Sequence, residues 1–141
     1  MTRLYQTNDG HQIEILDGHI TTRGGNFKGV CVTACLSYMG IKPSEYKFTW
    51  SKRTGNNAAL AIFRRKGYAV RSRRSALLKR GMSVSKLCKA IKAYDEDAMY
   101  YVQVKEHVLL VNAQGEVVVD TDSRKVDRRR VLNVRAVFVT P

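Results

Sequence analysis

The stretch "NFKGVCVTACLSYMGI", residues 26–41, sets Cys31 where a glycine-bearing loop gives way to a helical pattern, with Cys35 four positions later. A thiol attacks as thiolate, and its ordinary pKa near 8.5 leaves little thiolate at neutral pH. A helix N-terminus corrects this, because unpaired amides and the helix dipole favour negative charge. Cys31 is therefore the candidate nucleophile. Cys35, one turn in on the same side, is expected beneath it in the core, and Cys88 is expected to behave as a small buried hydrophobe.

A nucleophilic thiol needs a base, and the base needs an orienting group. Of the three histidines, His11 and His19 fall in an N-terminal hairpin close to turns and are read as solvent-facing. His107 opens the apolar run "HVLLVNA", and the next strand ends at Asp120. The start of one hairpin strand lies beside the end of the next. The offset of 13 residues (120 − 107) has its turn near Gln114-Gly115. A Cys31–His107–Asp120 triad is thus geometrically natural.

The elements that must position these groups follow from periodicity. "HQIEILDGHITT" alternates as two strands about an Asp17-Gly18 turn, and Gly24-Gly25-Asn26 breaks that pattern. Val32, Cys35, Leu36 and Met39 recur at helical spacing before Gly40, a suitable stop. Residues 43–55 read as irregular. "NNAALAIFRRKGYAV" reads as a helix capped near Asn56 or Asn57, ended by Gly67 and followed by a short strand. "SVSKLCKAIKAY" is a third helix, with Val84, Leu87, Cys88 and Ile91 on one stripe. "MYYVQV", "HVLLVNA", "EVVVDT" and "VRAVFVT" are strands. Helices mostly first and strands mostly last predict an α+β domain over 1–141, its N-terminal helices packed on a C-terminal antiparallel sheet.

"GVCVTACLSYMG", "LAIFRRKGYAV" and "MYYVQVKEHVLLVNAQGEVVVDTDS" together resemble the papain-like cysteine peptidases that cleave leader peptides after a double glycine, the bacteriocin-processing type, and their stand-alone relatives. The resemblance covers roughly residues 24–123 through short, degenerate motifs. It implies a papain-like fold, no cofactor and a protein or peptide substrate. Cys31 would be the nucleophile, His107 the general base and acid, and Asp120 the group orienting the imidazole. The chain departs from the family in two places. Val32 follows the cysteine where glycine is usual. The upstream glutamine that helps hold the oxyanion is missing, and in "RGGNFKG" only Asn26 offers an amide. Loss of one oxyanion donor costs about 10²–10³ in rate.

The charge balance supports a competing expectation. The 141 residues carry 25 Lys and Arg against 12 acidic residues, a formal net charge of +13. Such a field attracts polyanions or acidic protein surfaces. The basic runs contain Arg64, Arg65 and Lys66, then Arg71, Arg73 and Arg74, then Arg128, Arg129 and Arg130, all candidate polyanion contacts. Lys79-Arg80 is a further pair. In this alternative the protein is a non-catalytic basic module that holds nucleic acid or an acidic protein, and its small size and charge suit a phage or mobile element. Tyr68, Tyr100 and Tyr101 could stack on bases, although their setting favours the sheet and core.

No recognised nucleic-acid motif, zinc spacing, phosphate loop or dinucleotide fingerprint is present. No stretch approaches the roughly 18–20 apolar residues of a membrane span. The N-terminal stretch lacks a signal peptide's apolar core, and three cysteines suit a reducing compartment, so the expected location is cytoplasmic with no membrane partner.

Overall fold

The computed structural model describes residues 2–6, 12–16, 19–20, 32, 35–36, 38–41, 56–105, 107–119 and 129–139. Over these residues it is a mixed structure of helices and antiparallel sheet. Strands β1 (Thr2–Gln6), β2 (Gln12–Leu16) and β3 (His19–Ile20) form one small sheet in that order. The expected β2–β3 hairpin is present, with Leu16 opposite His19. β1 was not foreseen from the sequence; it pairs with all five residues of β2.

The larger sheet contains β4 (Tyr68–Ser72), β5 (Met99–Val104), β6 (His107–Val111), β7 (Val117–Val119) and β8 (Val131–Val139). Its order is β4-β8-β5-β6-β7, antiparallel throughout. The last strand in sequence is therefore inserted between β4 and β5. At one end, the near end, lie Ser72, Val104, His107 and Val131; Tyr68, Met99, Val111 and Phe138 lie at the far end.

Side-chain alternation along the strands sorts the core into two clusters, one on each face. On the first face Val70, Tyr101, Val108, Leu110, Val119 and Val137 meet Val32, Cys35 and Leu36 and the helix α1 (Asn56–Arg65). On the second, Tyr100, Val102, Leu109, Val111, Val134 and Ala136 meet α2 (Arg74–Leu77) and α3 (Val84–Tyr94).

The helix ends obey local chemistry. Val32, Cys35, Leu36 and Tyr38 are helical. Gly40 then adopts φ +85°, while the Ile41 N–H donates to the Leu36 carbonyl at 3.0 Å, a Schellman closure that buries Ile41. α1 buries Ala59, Leu60, Ile62 and Phe63 and ends before Gly67 at φ +93°. Ser83 caps α3, its Oγ accepting from the Lys86 N–H at 3.3 Å. Asp95 closes the helix in the left-handed conformation, its N–H donating to the Ile91 carbonyl.

The β6–β7 turn is held by Asn112, whose Oδ1 accepts from the backbone N–H groups of Gln114 and Glu116. Gly115, at φ +79°, brings this turn so close to α3 that a Cβ would lie 2.3 Å from the Cys88 carbonyl oxygen. Among the described residues, no helix is long and apolar enough to cross a membrane.

Candidate functional site

His107 is the first residue of β6, directly opposite Val104 across a hairpin with two intervening positions. It is half-buried. Cys31, Asn26, Asp120 and Arg128 lie outside the described residues. Their immediate neighbours are informative. Val32, next to Cys31, is buried in the first cluster with Cys35 and Leu36. Val119, which precedes Asp120, is buried opposite Leu110.

The seat of the helical residues Val32, Cys35, Leu36 and Tyr38 is fixed from their C-terminal side. The Tyr68 hydroxyl donates to the Met39 carbonyl at 3.2 Å, and the Tyr68 ring meets Phe63 edge-on with centroids 6.1 Å apart. This pins Met39 at the far end of the sheet.

Register also assigns a face to His107. Val108 and Leu110 belong to the first cluster, Leu109 and Val111 to the second. His107 shares the parity of Leu109 and of its partner Val104, so its position belongs to the second face. Val32 and Cys35 are on the first.

The first face carries its own polar pair towards the near end. Arg135 donates through Nη1 to Gln103 Oε1 at 2.9 Å. Gln103 lies opposite both Val108 and Asn133.

The basic residues separate into two groups. Arg64 and Arg65 are exposed in the last turn of α1 with Lys66 beyond them, and α1 covers the first face. Arg71, on the other parity of β4 from Val70, is exposed on the second face, as is Arg74 on α2. Arg129 and Arg130 reach that side through the chain, since the Arg129 carbonyl accepts from Val84 N–H and Arg130 Nη1 donates to the Gly81 carbonyl at 3.2 Å.

Arg73 does not fit the reading of a free polyanion contact. Its guanidinium grips Glu96 with Nε–Oε1 at 2.9 Å and Nη2–Oε2 at 2.6 Å, and packs 6.0 Å over the Phe138 ring. The buried Tyr100 donates its hydroxyl to the same carboxylate at 3.0 Å. The Arg73 hydrogen bonds hold the Glu96 carboxyl below its ordinary pKa against the opposing effect of burial. Burial, helped by the bond to Glu96, pushes the Tyr100 phenol upward. Arg73 thus ties the β4–α2 junction to the α3–β5 junction. Tyr100 and Tyr101 have no exposed surface, which removes both as stacking platforms.

Runs of consecutive basic residues are not the whole charged surface. Lys86, Lys89 and Lys92 stand three apart on the exposed side of α3. Their signal in the sequence is helical spacing rather than adjacency. A cavity of about 440 Å³ opens at the far end, with Met39, Tyr68, Met99, Asn112, Val137 and Phe138 in its walls. It lies away from His107, at the opposite ends of β5 and β6. No protein-family model, curated protein or solved structure gives a significant match to this chain.

Proposed function

We propose that the protein is a papain-like cysteine hydrolase that cleaves or deamidates an amide in a protein substrate. The observation that carries the reading is the pairing of β6 and β7. His107 opens a strand that is otherwise buried, and the neighbouring antiparallel strand runs to Val119, immediately before Asp120. In this reading Asp120 takes the next step of that register toward the His107 end. The burial of Val32 in the first cluster gives further support, because it ties the residue after Cys31 to the same sheet that carries His107.

The chemistry uses the chain's own groups. The Cys31 thiolate adds to the amide carbonyl, and the Cys31 N–H with the Asn26 amide holds the resulting oxyanion. His107, having taken the thiol proton, gives it to the departing amine as the C–N bond breaks. Water, deprotonated by His107, then displaces the thioester sulfur and releases the acid. Asp120 keeps the imidazole oriented and stabilises its charged form. Because His107 has second-face parity, the thiolate and ring meet around the end of the sheet, at the terminal rung of β6, rather than across a face.

The test is iodoacetamide labelling of the native protein from pH 5 to 9, mapped by peptide mass. Cys31 should label at pH 6, well ahead of the buried Cys35 and the half-buried Cys88. His107→Ala should move its labelling midpoint up toward about 8.5, the free-thiol value, with Asp120→Asn intermediate. A Cys31 midpoint unchanged by His107→Ala would refute the triad.

A further inference from the structure

The stretch between Glu45 and Asp95 contains no acidic residue and 14 lysines and arginines. The fold gathers much of that charge on the second face. α3 turns Val84, Leu87 and Ile91 into the core and leaves Lys86, Lys89 and Lys92 exposed on its outer side. Successive lysines are about 4.5 Å apart along the axis, from 1.5 Å rise per residue. That is within the Debye length of about 10 Å at 0.1 M salt, so they act as one field.

The stripe does not stand alone. Lys79 and Arg80 are exposed in the connection leading to α3, and Arg74 is exposed on α2, which packs beside α3. The backbone bonds from Val84 to Arg129 and from Val131 to Met82 draw the start of β8 against the same corner and bring Arg130 there. Among the described residues, the ion pair is Arg73–Glu96, and no described carboxylate pairs with Arg74, Lys79, Arg80 or the three α3 lysines.

We infer that this surface binds the phosphate backbone of double-stranded nucleic acid without reading sequence. Two features favour a polyphosphate over an acidic protein. The charge is of one sign from Lys79 to Lys92 and is bounded by Asp95, Glu96 and Asp97 just beyond the last turn of α3, and the face lacks the desolvated apolar centre that a specific protein interface needs. The large hydrophobics exposed among the described residues are Tyr38, Tyr94, Val117 and Leu132, none of them within the lysine stripe. Phosphate binding needs only cations that displace condensed counterions. Tyr100 and Tyr101 are buried and Tyr94 is the single exposed aromatic described on α3, whereas a single strand is held by successive aromatic platforms, so the face favours a duplex. This inference does not rest on the hydrolase reading.

The experiment is fluorescence anisotropy with a labelled mixed-sequence DNA duplex of about 20 base pairs, titrated between 50 and 200 mM salt. With Arg74, Lys79, Arg80, Lys86, Lys89 and Lys92 as contacts, the log–log salt slope approaches about −5, a loss of affinity near 10³-fold across the range. Replacing the three α3 lysines with alanine, a strong helix former, should reduce that loss to roughly 40-fold. The charge-matched control R64A/R65A/K66A, at the end of α1 on the other face, should leave the slope unchanged. Circular dichroism confirms folding, and Lys→Gln substitutions serve if the alanine variant unfolds. Cys31→Ala should bind as the parent does, which separates this surface from the catalytic proposal. Equal slope changes in the two triple variants, a single strand bound more tightly than the duplex, salt-independent binding, preference for poly-glutamate, or no binding at 50 mM salt would each overturn it.

Discussion

Replacement of Glu96 by alanine removes the acceptor shared by Arg73 and Tyr100. The two side chains of the ion pair are only 20% and 26% exposed, so solvent screens the pair less than it does a surface pair. Hydrogen bonds to charged groups contribute about 1.5–3 kcal/mol, and a buried hydroxyl left without a partner costs about 1–3 kcal/mol. Partial solvent access to Arg73 and local relaxation place the sum near 3 kcal/mol at pH 7, towards the lower end of the combined range. Glu96→Gln keeps an oxygen for the Tyr100 hydroxyl and removes the charge; it should cost about half as much. Arg73→Met retains a stem against Phe138, so the cycle Arg73→Met with Glu96→Gln isolates the charged contact, with an expected coupling of about 1–2 kcal/mol.

The assay is urea unfolding followed by circular dichroism at pH 7 and again at lower pH. The folded Glu96 carboxyl lies below its unfolded value because of Arg73. Its contribution is therefore fully present above the unfolded pKa of about 4.3 and is lost as pH falls through the folded pKa. The parent and Glu96→Gln curves should accordingly converge below about pH 4 while remaining separated at pH 7. A Glu96→Ala cost below about 0.5 kcal/mol at pH 7, in the range of ordinary surface substitutions, or a coupling near zero would refute the internal role assigned to Arg73.

Two further substitutions test the local geometry. Gly115→Ala combines a left-handed φ with a Cβ only 2.3 Å from a carbonyl oxygen of α3; it should destabilise by about 3 kcal/mol in the same urea assay, and a cost under about 1 kcal/mol would mean the turn does not press on the helix. Ser83→Ala deletes the acceptor for Lys86 N–H and should cost about 1 kcal/mol, with Ser83→Asp restoring most of it.

The residues that were legible in the sequence are those whose burial repeats locally. Val84, Leu87 and Ile91 give α3 by spacing alone, and Gly40 and Gly67 mark true helix ends because only a left-handed residue closes those turns. What escaped depends on distant partners. β1 contains Arg3 and Gln6 and becomes a strand by pairing with β2. α2 has only four residues, too few to show a period. β8 begins at Val131, earlier than "VRAVFVT" indicates, because a bulge between Asn133 and Val131 opposite Gln103 and Val104 carries the pairing past Leu132. Arg73 reads as one more surface cation until Glu96, 23 positions away, folds back onto it.

The face of His107 escaped for a different reason, and it bears on both functional readings. A half-buried strand alternates apolar and polar, which reveals its parity; a strand buried on both sides does not. "HVLLV" belongs to the second kind, with Val108, Leu109, Leu110 and Val111 all buried, so its sequence locates the histidine at a strand start but is silent on its direction. Register supplies what composition could not: His107 goes with Val104 and the second cluster, while the helix that follows Cys31 packs in the first. In the proposed reading the terminal rung of β6 is the place where groups from opposite faces meet. The lysine stripe of α3 then lies on the same face as His107, opposite the face that holds Val32 and Cys35. Where both proposals hold, a duplex on the α3 lysines lies on the His107 face of the sheet, and a protein substrate carried on nucleic acid reaches His107 from that face.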